Sequence, residues 1–393
     1  MEHFFQKLKF LPVPKKNRIL LIETDINNAI SGFRAGLVKS LLEKQFEVFV
    51  VGTLAYSSSF SNKVKDYPSD LKVYNIGALG RNPIYYFLYL SKLLIKITKV
   101  NPSVCLTFNI RPVFLFGLLN VFLRKPSIAT ITGTSTYVGE NGIGAFFGFF
   151  YRLAFSAYKI YIFQNQFDNL VLSRFLRKHA DVFIVNGSGV DTEFYSGGAN
   201  ETSSEIGLKL DFLFVGRLIK QKGILEYITA AKSIKLKYPK ICFGILGPFY
   251  NNSKGDNTIS PEEIAHSEHE GFIKYLGFTN DVKKFMLASK CVVLPTYGEG
   301  MSNTLLEACS LEIPVLASNV PGCKEIISHG ETGFLFEPRN ARSLIDAIDF
   351  FLSLGEEEKR LMGLRGRAKM VAEFDKSLIV KSYIEAIESL QVC

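Results

Sequence analysis

Read for its alternation of apolar and polar positions, the chain repeats one grammar twice. Short β-branched runs predict strands at RILLI (18–22), EVFVV (47–51), LKVYNI (71–76), SVCLTF (103–108), SIATIT (127–132), KIYIF (159–163) and DVFIV (181–185). Between them stand segments with apolar residues at helical spacing, such as GFRAGLVKSLLEKQ (32–45). Near-continuous apolar strands alternating with helices predict a parallel sheet covered on both faces. A polar Gly/Ser-rich piece, YSGGANETSSE (195–205), reads as a linker. The pattern then restarts with DFLFVG (211–216), ICFGILG (241–247), FIKYLG (272–277), CVVLP (291–295), IPVLAS (313–318) and TGFLF (332–336). From Ala347 to Leu390 the spacing is helical.

The expected fold class is therefore α/β, with two doubly wound, Rossmann-like domains. Residues 1–195 form the first, 196–205 the linker and 206–375 the second. A C-terminal helix over 376–393 is expected to pack back towards the first domain. Paired domains of this kind place a ligand in the cleft they face across, at the carboxyl ends of the strands. No long internal repeat is visible, so any duplication is one of architecture.

Composition agrees with a folded chain of two or three domains: 393 residues, 47% hydrophobic and 21% charged. Six cysteines (Cys105, Cys242, Cys291, Cys309, Cys323, Cys393) are scattered, with no CxxC pair, and read as small buried hydrophobes in a reducing cytosol. His266 and His269 stand alone in HSEH, which reads as a polar loop without the further ligands a metal would need. The first residues, MEHFFQKLKFLPVPKKNR, lack the apolar core of a signal peptide. No segment reaches the length of a membrane span: 113–123 is too short, and 142–163 is broken by Arg152 and Lys159. A cytoplasmic location is expected.

Charge changes the picture. Residues 1–200 hold 23 Lys and Arg against 12 Asp and Glu, a net of +11, whereas the remainder holds 23 against 25, a net of −2. The basic half also carries the aromatic stretches 82–100 and 142–163. Basic charge beside aromatics suits an anionic membrane surface, although the same aromatics would also serve as helix cores. Nucleic acid is not expected as a partner, since no helix-turn-helix, RNP or zinc pattern accompanies the charge.

There is no GxGxxG after the first strand, no GxxxxGK[ST] and no GxSxG, which removes the usual support for dinucleotide, P-loop and hydrolase chemistry. There is also no DxD triplet to hold a metal against a diphosphate, so protein groups would have to neutralise one. Such groups stand in FVGRLIKQKG (214–223). Gly216 ends a strand, Arg217 follows in the loop, and Lys222 begins a helix running to about Lys237. A guanidinium, an ammonium and a helix N-terminus form a metal-free anion site, unless the two side chains are ordinary solvated surface. The stretch PTYGEGMSNTLLEACS (295–310) holds two carboxylates. Glu299 lies in the loop after a buried strand, and Glu307 in the first turn of a helix beginning near Thr304. Two readings stand: a capping box Thr304-x-x-Glu307 with a turn eased by Gly298 and Gly300, or a ligand site.

GEGMSNTLLEA, with E-x7-E, resembles the signature of retaining glycosyltransferases of family 4, whose fold is GT-B. GRLIKQKG resembles the diphosphate loop of that family, and NGSGVDTEFY (186–195) the segment before its interdomain linker. YLGFTNDVKKFM (275–286) and PGCKEIISHGETGFLF (321–336) also fall where the family has similar segments. The resemblance covers nearly the whole chain and is stronger in its second half. It implies that Glu299 meets the donor sugar, Glu307 the ribose, and Arg217 and Lys222 the diphosphate. Gly32 would admit the phosphates to the backbone of the first loop, and the backbone around Phe278 would meet the base. Gly216, Gly300, Met301, Ser302 and Asn303 complete the implied donor site. The sequence departs from the family in the first loop, where Ser31 precedes Gly32. It departs again after SIATIT, where Thr132-Gly133-Thr134 stands in place of a His. Thr132, Thr134, Glu140 and Asn165 are left as first-domain candidates for sugar or acceptor, Asn165 being equally suited to cap a helix.

The resemblance thus implies a retaining, metal-independent transferase without cofactor, moving a sugar, an N-acetylhexosamine by expectation, from a UDP-sugar. The basic first half favours a polyprenyl-diphosphate-linked saccharide as acceptor, at the cytoplasmic face of the inner membrane. The whole resembles bacterial enzymes that extend lipid-linked glycans, such as those adding N-acetylgalactosamine to lipid-linked bacillosamine. The alternatives are a lipopolysaccharide-core or capsule transferase with another UDP- or GDP-sugar, a GT-B phosphorylase or epimerase, and a non-enzymatic sugar-nucleotide-binding module.

Overall fold

The computed structural model describes residues 17–54, 67–77, 83–133, 145–197, 207–249 and 258–392. The chain divides into two units, Met1–Ser188 with Ser377–Cys393, and Gly189–Lys376.

In the first unit every predicted strand forms: β1 (Arg18–Asp25), β2 (Glu47–Thr53), β3 (Leu71–Asn75), β4 (Val104–Phe108), β5 (Ser127–Ile131), β6 (Ile160–Phe163) and β7 (Asp181–Ile184). Their order is β3-β2-β1-β4-β5-β6-β7, and all pairs are parallel. Order reverses between β1 and β4, the switch point of a doubly wound sheet. The helices used below are α1 (Ala35–Glu43), α2 (Pro83–Val100), α3 (Ile110–Leu123), α4 (Ala145–Phe155) and α5 (Gln166–Leu172).

The period of two along β1 explains why its central residues, Ile19 to Ile22, are apolar in succession. Ile19 and Leu21 face a core with Leu37 and Leu41 of α1 and with Ile379, Tyr383 and Ile387 from the end of the chain. Leu20 and Ile22 face the opposite core, with Leu93, Ile97, Phe116 and Phe155. Neither face of this stretch meets water, which is why Ile19 to Ile22 are all apolar.

The second unit repeats the plan with β8 (Leu210–Val215), β9 (Phe243–Leu246), β10 (Lys274–Tyr275), β11 (Ser289–Leu294), β12 (Val315–Ser318) and β13 (Gly333–Phe336). The order is β10-β9-β8-β11-β12-β13, parallel throughout, with the reversal between β8 and β11. Its helices are α6 (Ile224–Lys237), α7 (Pro261–His269), α8 (Asn303–Ser310), α9 (Ala341–Ser353) and α10 (Glu356–Lys369), and α11 (Lys376–Val392) closes the chain.

The loop expected around HSEH is in fact helical and forms the end of α7. Ser260 and Glu263 make a reciprocal capping box, with Pro261 at the first helical position, so the helix start was written upstream of the histidines.

The chain passes between the units after Ser188 and after Lys376, and the two passages are tied together. Val190 N–H donates to Phe374 O (2.8 Å) and Lys376 N–H to Val190 O (2.9 Å). Thr192 Oγ1 donates to Asp375, and Lys376 pairs with Asp191. Helix α2 divides its apolar residues between two environments: Tyr89, Leu93, Ile97 and Val100 are core, while Ile84, Tyr85, Phe87, Leu88 and Ile95 are exposed.

Candidate functional site

In the second unit the switch point brings together the loops leaving β8 and β11. The first carries Gly216, Arg217 and Lys222, the second Glu299 to Ser302. Lys220–Lys222 is a turn of 3-10 helix, and Gly223, at φ 73°, caps α6. A Cβ on Gly223 would lie 1.8 Å from the carbonyl oxygen of Pro295, so only glycine lets the two loops meet.

The contact is then fastened. Tyr297 N–H donates to Gln221 O at 2.9 Å, and the Thr296 hydroxyl reaches the same oxygen at 3.3 Å. The Tyr297 hydroxyl donates to Glu226 Oε1 at 2.7 Å, and the Arg339 guanidinium stacks 4.8 Å over its ring. On this frame the Lys222 ammonium and the Glu299 carboxylate are ion-paired, their side chains 20% and 13% exposed. Arg217, in the same loop as Lys222, is exposed.

The capping box Thr304-x-x-Glu307 does not form. Helix α8 starts at Asn303, capped by Ser302, whose Oγ accepts from Leu305 N–H at 3.4 Å. Ser302 outcompetes Thr304 because the chain there is still extended, at φ −84° and ψ 104°, as a cap residue must be. Glu307 therefore falls in the second helical turn, two residues past the position a capping box would need. Nor do Gly298 and Gly300 supply the turn: the left-handed glycine of this corner is Gly322, at φ 83°. A Cβ there would meet Glu299 O at 2.7 Å, and its carbonyl accepts from Ser302 N–H at 3.1 Å.

Freed from capping, the Glu307 carboxylate accepts a hydrogen bond from the Tyr195 hydroxyl. Burial pushes its pKa up to about 7, and the Tyr195 hydrogen bond draws it part of the way back. Tyr195 is itself held by α10: Arg367 donates to Tyr195 O (3.1 Å), Ser310 O (2.6 Å) and Thr192 O (3.2 Å).

Met301 and Ser302 are buried, the former in the core beneath α8, which limits what their side chains offer a ligand. Asn303 stands at the start of α8. Phe278 is 65% exposed, beyond the edge strand β10, and not at the switch point. Among the described residues, no group of three or more His, Cys, Asp or Glu is placed to hold a metal.

In the first unit Gly32 lies in the loop after β1, its N–H donating to Asn27 O at 2.9 Å. Thr132 directly follows β5. Asn165 caps α5, accepting from Asp168 N–H at 2.8 Å, and is 3% exposed. Thr134 and Glu140 lie outside the described residues.

Tyr195, Gln221, Gly223, Glu226, Tyr297 and Gly322 were missed as site residues by reading the sequence. Tyr195 and Gly223 stood inside quoted motifs and were readable there; the partners of Tyr297 and Gly322 are set only by tertiary contact. Chemically, the corner sets a cation and a helix N-terminus beside a carboxylate, with Arg217 in the same loop and Glu307 on the helix that follows. The cations suit an anion such as a diphosphate, and the carboxylates suit neighbouring hydroxyls.

Residues 201–367 match the family model described as Glycosyl transferases group 1. The chain is similar to the Campylobacter jejuni N,N'-diacetylbacillosaminyl-diphospho-undecaprenol alpha-1,3-N-acetylgalactosaminyltransferase, 23% identical over 376 residues that cover 91% of this chain and 95% of that protein. It is also similar to the Escherichia coli UDP-Gal:alpha-D-GlcNAc-diphosphoundecaprenol alpha-1,3-galactosyltransferase, 31% identical over 169 residues, 41% of this chain and 43% of that protein. A crystal structure of a glycosyltransferase from Rickettsia africae superposes with a TM-score of 0.76 at 18% identity, covering 96% of this chain and 99% of that one.

Proposed function

We propose, on the premise that the chain carries a Glycosyl transferases group 1 domain and is a glycosyltransferase of GT-B fold, that it moves a sugar from a UDP-sugar to an undecaprenyl-diphosphate-linked acceptor. Transfer proceeds with retention and without a metal. The observation that carries this reading is the paired Lys222 and Glu299 at the switch point.

Arg217 and Lys222 neutralise the donor diphosphate, and with the N-terminus of α6 they stabilise the charge that grows on it as the bond to the sugar breaks. Lys222 exchanges one anionic partner, Glu299, for another. That leaves Glu299 to accept hydroxyls of the donor sugar, as Glu307 accepts those of the ribose. Gly32, Gly216 and Gly300 admit the donor to the backbone, and the chain around Phe278 meets the base. The acceptor hydroxyl attacks the anomeric carbon from the face the diphosphate leaves, and its proton passes to a diphosphate oxygen, so no separate base is required. An N-acetylhexosamine donor is supported by the name of the Campylobacter jejuni relative, a UDP-sugar by that of the Escherichia coli relative, and a lipid-linked acceptor by both.

No described helix is long and apolar enough to cross a membrane. The protein instead docks on an anionic membrane surface at the cytoplasmic face of the inner membrane. The outer face of α2 supports this, exposing Ile84, Tyr85 and Phe87 by 63%, 54% and 70% beside the basic residues Lys92 and Lys99.

The test is a screen of UDP- and GDP-sugars against lipid-linked acceptors, read by product mass, with UDP binding measured in parallel. Glu299→Ala is expected to abolish transfer and keep UDP binding, and Arg217→Ala to weaken UDP binding. Full activity in either variant overturns the site assignment.

A further inference from the structure

The first unit has a polar cluster at its own switch point, contributed by β1 and by the residues that directly follow β4 and β5. Glu23 on β1 is fully buried, and its Oε1 lies 3.5 Å from Nε of Arg34, which is 6% exposed. Asn109 follows β4 at φ 70°, a left-handed conformation that a non-glycine residue adopts at a cost. It stands at the cap position of α3, yet its side chain makes no capping bond. Instead Asn109 Nδ2 donates to Thr24 Oγ1 at 3.0 Å and to Glu23 Oε2 at 3.4 Å. Thr132, partly exposed, donates its hydroxyl hydrogen to Asn109 Oδ1.

The polarity of this chain follows from elementary chemistry. Burial pushes the Glu23 carboxyl up to about 7, against the pull of Arg34 and Asn28, so above that pH it is a carboxylate. A carboxylate only accepts, which turns the Asn109 amide nitrogen towards β1 and its carbonyl towards β5. That carbonyl also only accepts, which commits the Thr132 hydrogen to it. The lone pairs of Thr132 are what remain for a ligand beyond the strand ends.

We propose that Thr132 is a specificity residue that accepts a hydrogen bond from a saccharide hydroxyl, and that Asn109, oriented by Glu23 and Arg34, is the positioning residue that fixes Thr132 in the accepting role. The inference rests on the glycosyl-transfer reading and deepens it. A sugar carrying a deoxy or O-methyl group at the contacted position has no hydrogen to give and is discriminated against.

The test uses the full chain at pH 8, with UDP-N-acetylglucosamine and UDP-N-acetylgalactosamine as donors and undecaprenyl-diphosphate-linked monosaccharides as acceptors. UDP affinity is measured alongside by calorimetry. Thr132→Val is expected to lower kcat/KM by roughly 10-fold or more, and Thr132→Ser to restore it to within about threefold of wild type. Asn109→Gly, which suits the backbone at that φ, is expected to reproduce the loss. The double variant should lose no more than either single one, because Asn109 acts through Thr132. UDP affinity should stay unchanged throughout.

Additive losses, or failure of Thr132→Ser to rescue, would assign both residues to structure and overturn the inference. A wild type that transfers sugar while Thr132→Val transfers equally well overturns this inference alone. A wild type that neither binds UDP nor transfers overturns the functional reading above together with it.

Discussion

The interlock of the two loops can be broken at one atom. Replacing Gly223 by alanine places a methyl carbon 1.8 Å from the Pro295 carbonyl oxygen and 2.5 Å from its carbon. Ordinary contact of carbon with oxygen begins at roughly 3.3 Å, so about 1.5 Å of displacement must be shared between the loops. The left-handed φ of 73° adds a cost of about 1–2 kcal/mol for any residue with a Cβ. Displacing the turn also weakens the bond from Tyr297 N–H to Gln221 O, worth about 1 kcal/mol. The total is on the order of 3 kcal/mol, which for a unit the size of Gly189–Lys376 lowers its melting temperature by roughly 6–12 °C.

Scanning calorimetry measures the shift, with Gly330→Ala as reference. Gly330 is also left-handed, at φ 81°, but a Cβ there meets nothing within 4 Å, so it bears the conformational cost alone. Because Lys222 rides on the displaced turn, UDP affinity in Gly223→Ala should also fall at least about tenfold, a change of about 1.4 kcal/mol. If Gly223→Ala melts no lower than Gly330→Ala and binds UDP like the wild type, the loop contact does not set Lys222 and the reasoning fails.

Two further outcomes are expected. The pKa of Glu307 is raised to about 7, so protonation below that pH removes an acceptor, and UDP affinity should fall roughly tenfold from pH 8 to pH 6. The terminal phosphate of UDP titrates in the same range, so the readout is the difference from Glu307→Gln, and equal pH profiles for the two proteins would refute the role. Asn165→Ala should cost roughly 1 kcal/mol through the lost cap of α5, measurable by denaturant melts, with transfer per folded molecule retained; loss of transfer at full folding would instead make Asn165 a sugar contact.

The central strands were legible because they are buried on both faces and so are written as near-continuous apolar runs, as in RILLI and CVVLP; the edge strands β3 and β7 are partly exposed. That Arg217, Lys222 and Glu299 stand in loops leaving strand ends was legible, because each follows closely on an apolar run, β8 or β11. Register at a helix start was not legible. Ser302 and Thr304 are both good caps, and the choice between them depends on backbone angles set by Gly322, twenty residues further on in the sequence. The same holds for the loop expected at HSEH, where the capping box Ser260–Glu263 lay in plain view but outside the window around the histidines. Asn109 gave no signal in the sequence, since its partners Glu23 and Thr132 come from different strands and meet only through the crossover of the sheet.

Helix α11 has a consequence for how the protein is made. The first unit draws its sheet from the beginning of the sequence and part of the core on one face, Ile379, Tyr383 and Ile387, from its end. A ribosome therefore finishes the whole of Gly189–Lys376 before it delivers the side chains that cover Ile19 and Leu21. The second unit is contiguous and can close as it emerges. The first must wait, with one apolar face of its sheet open, until residues made after the second unit arrive. The unit that begins synthesis first is the one completed last, and a premature stop after Lys376 would leave the second unit whole and the first a client for chaperones.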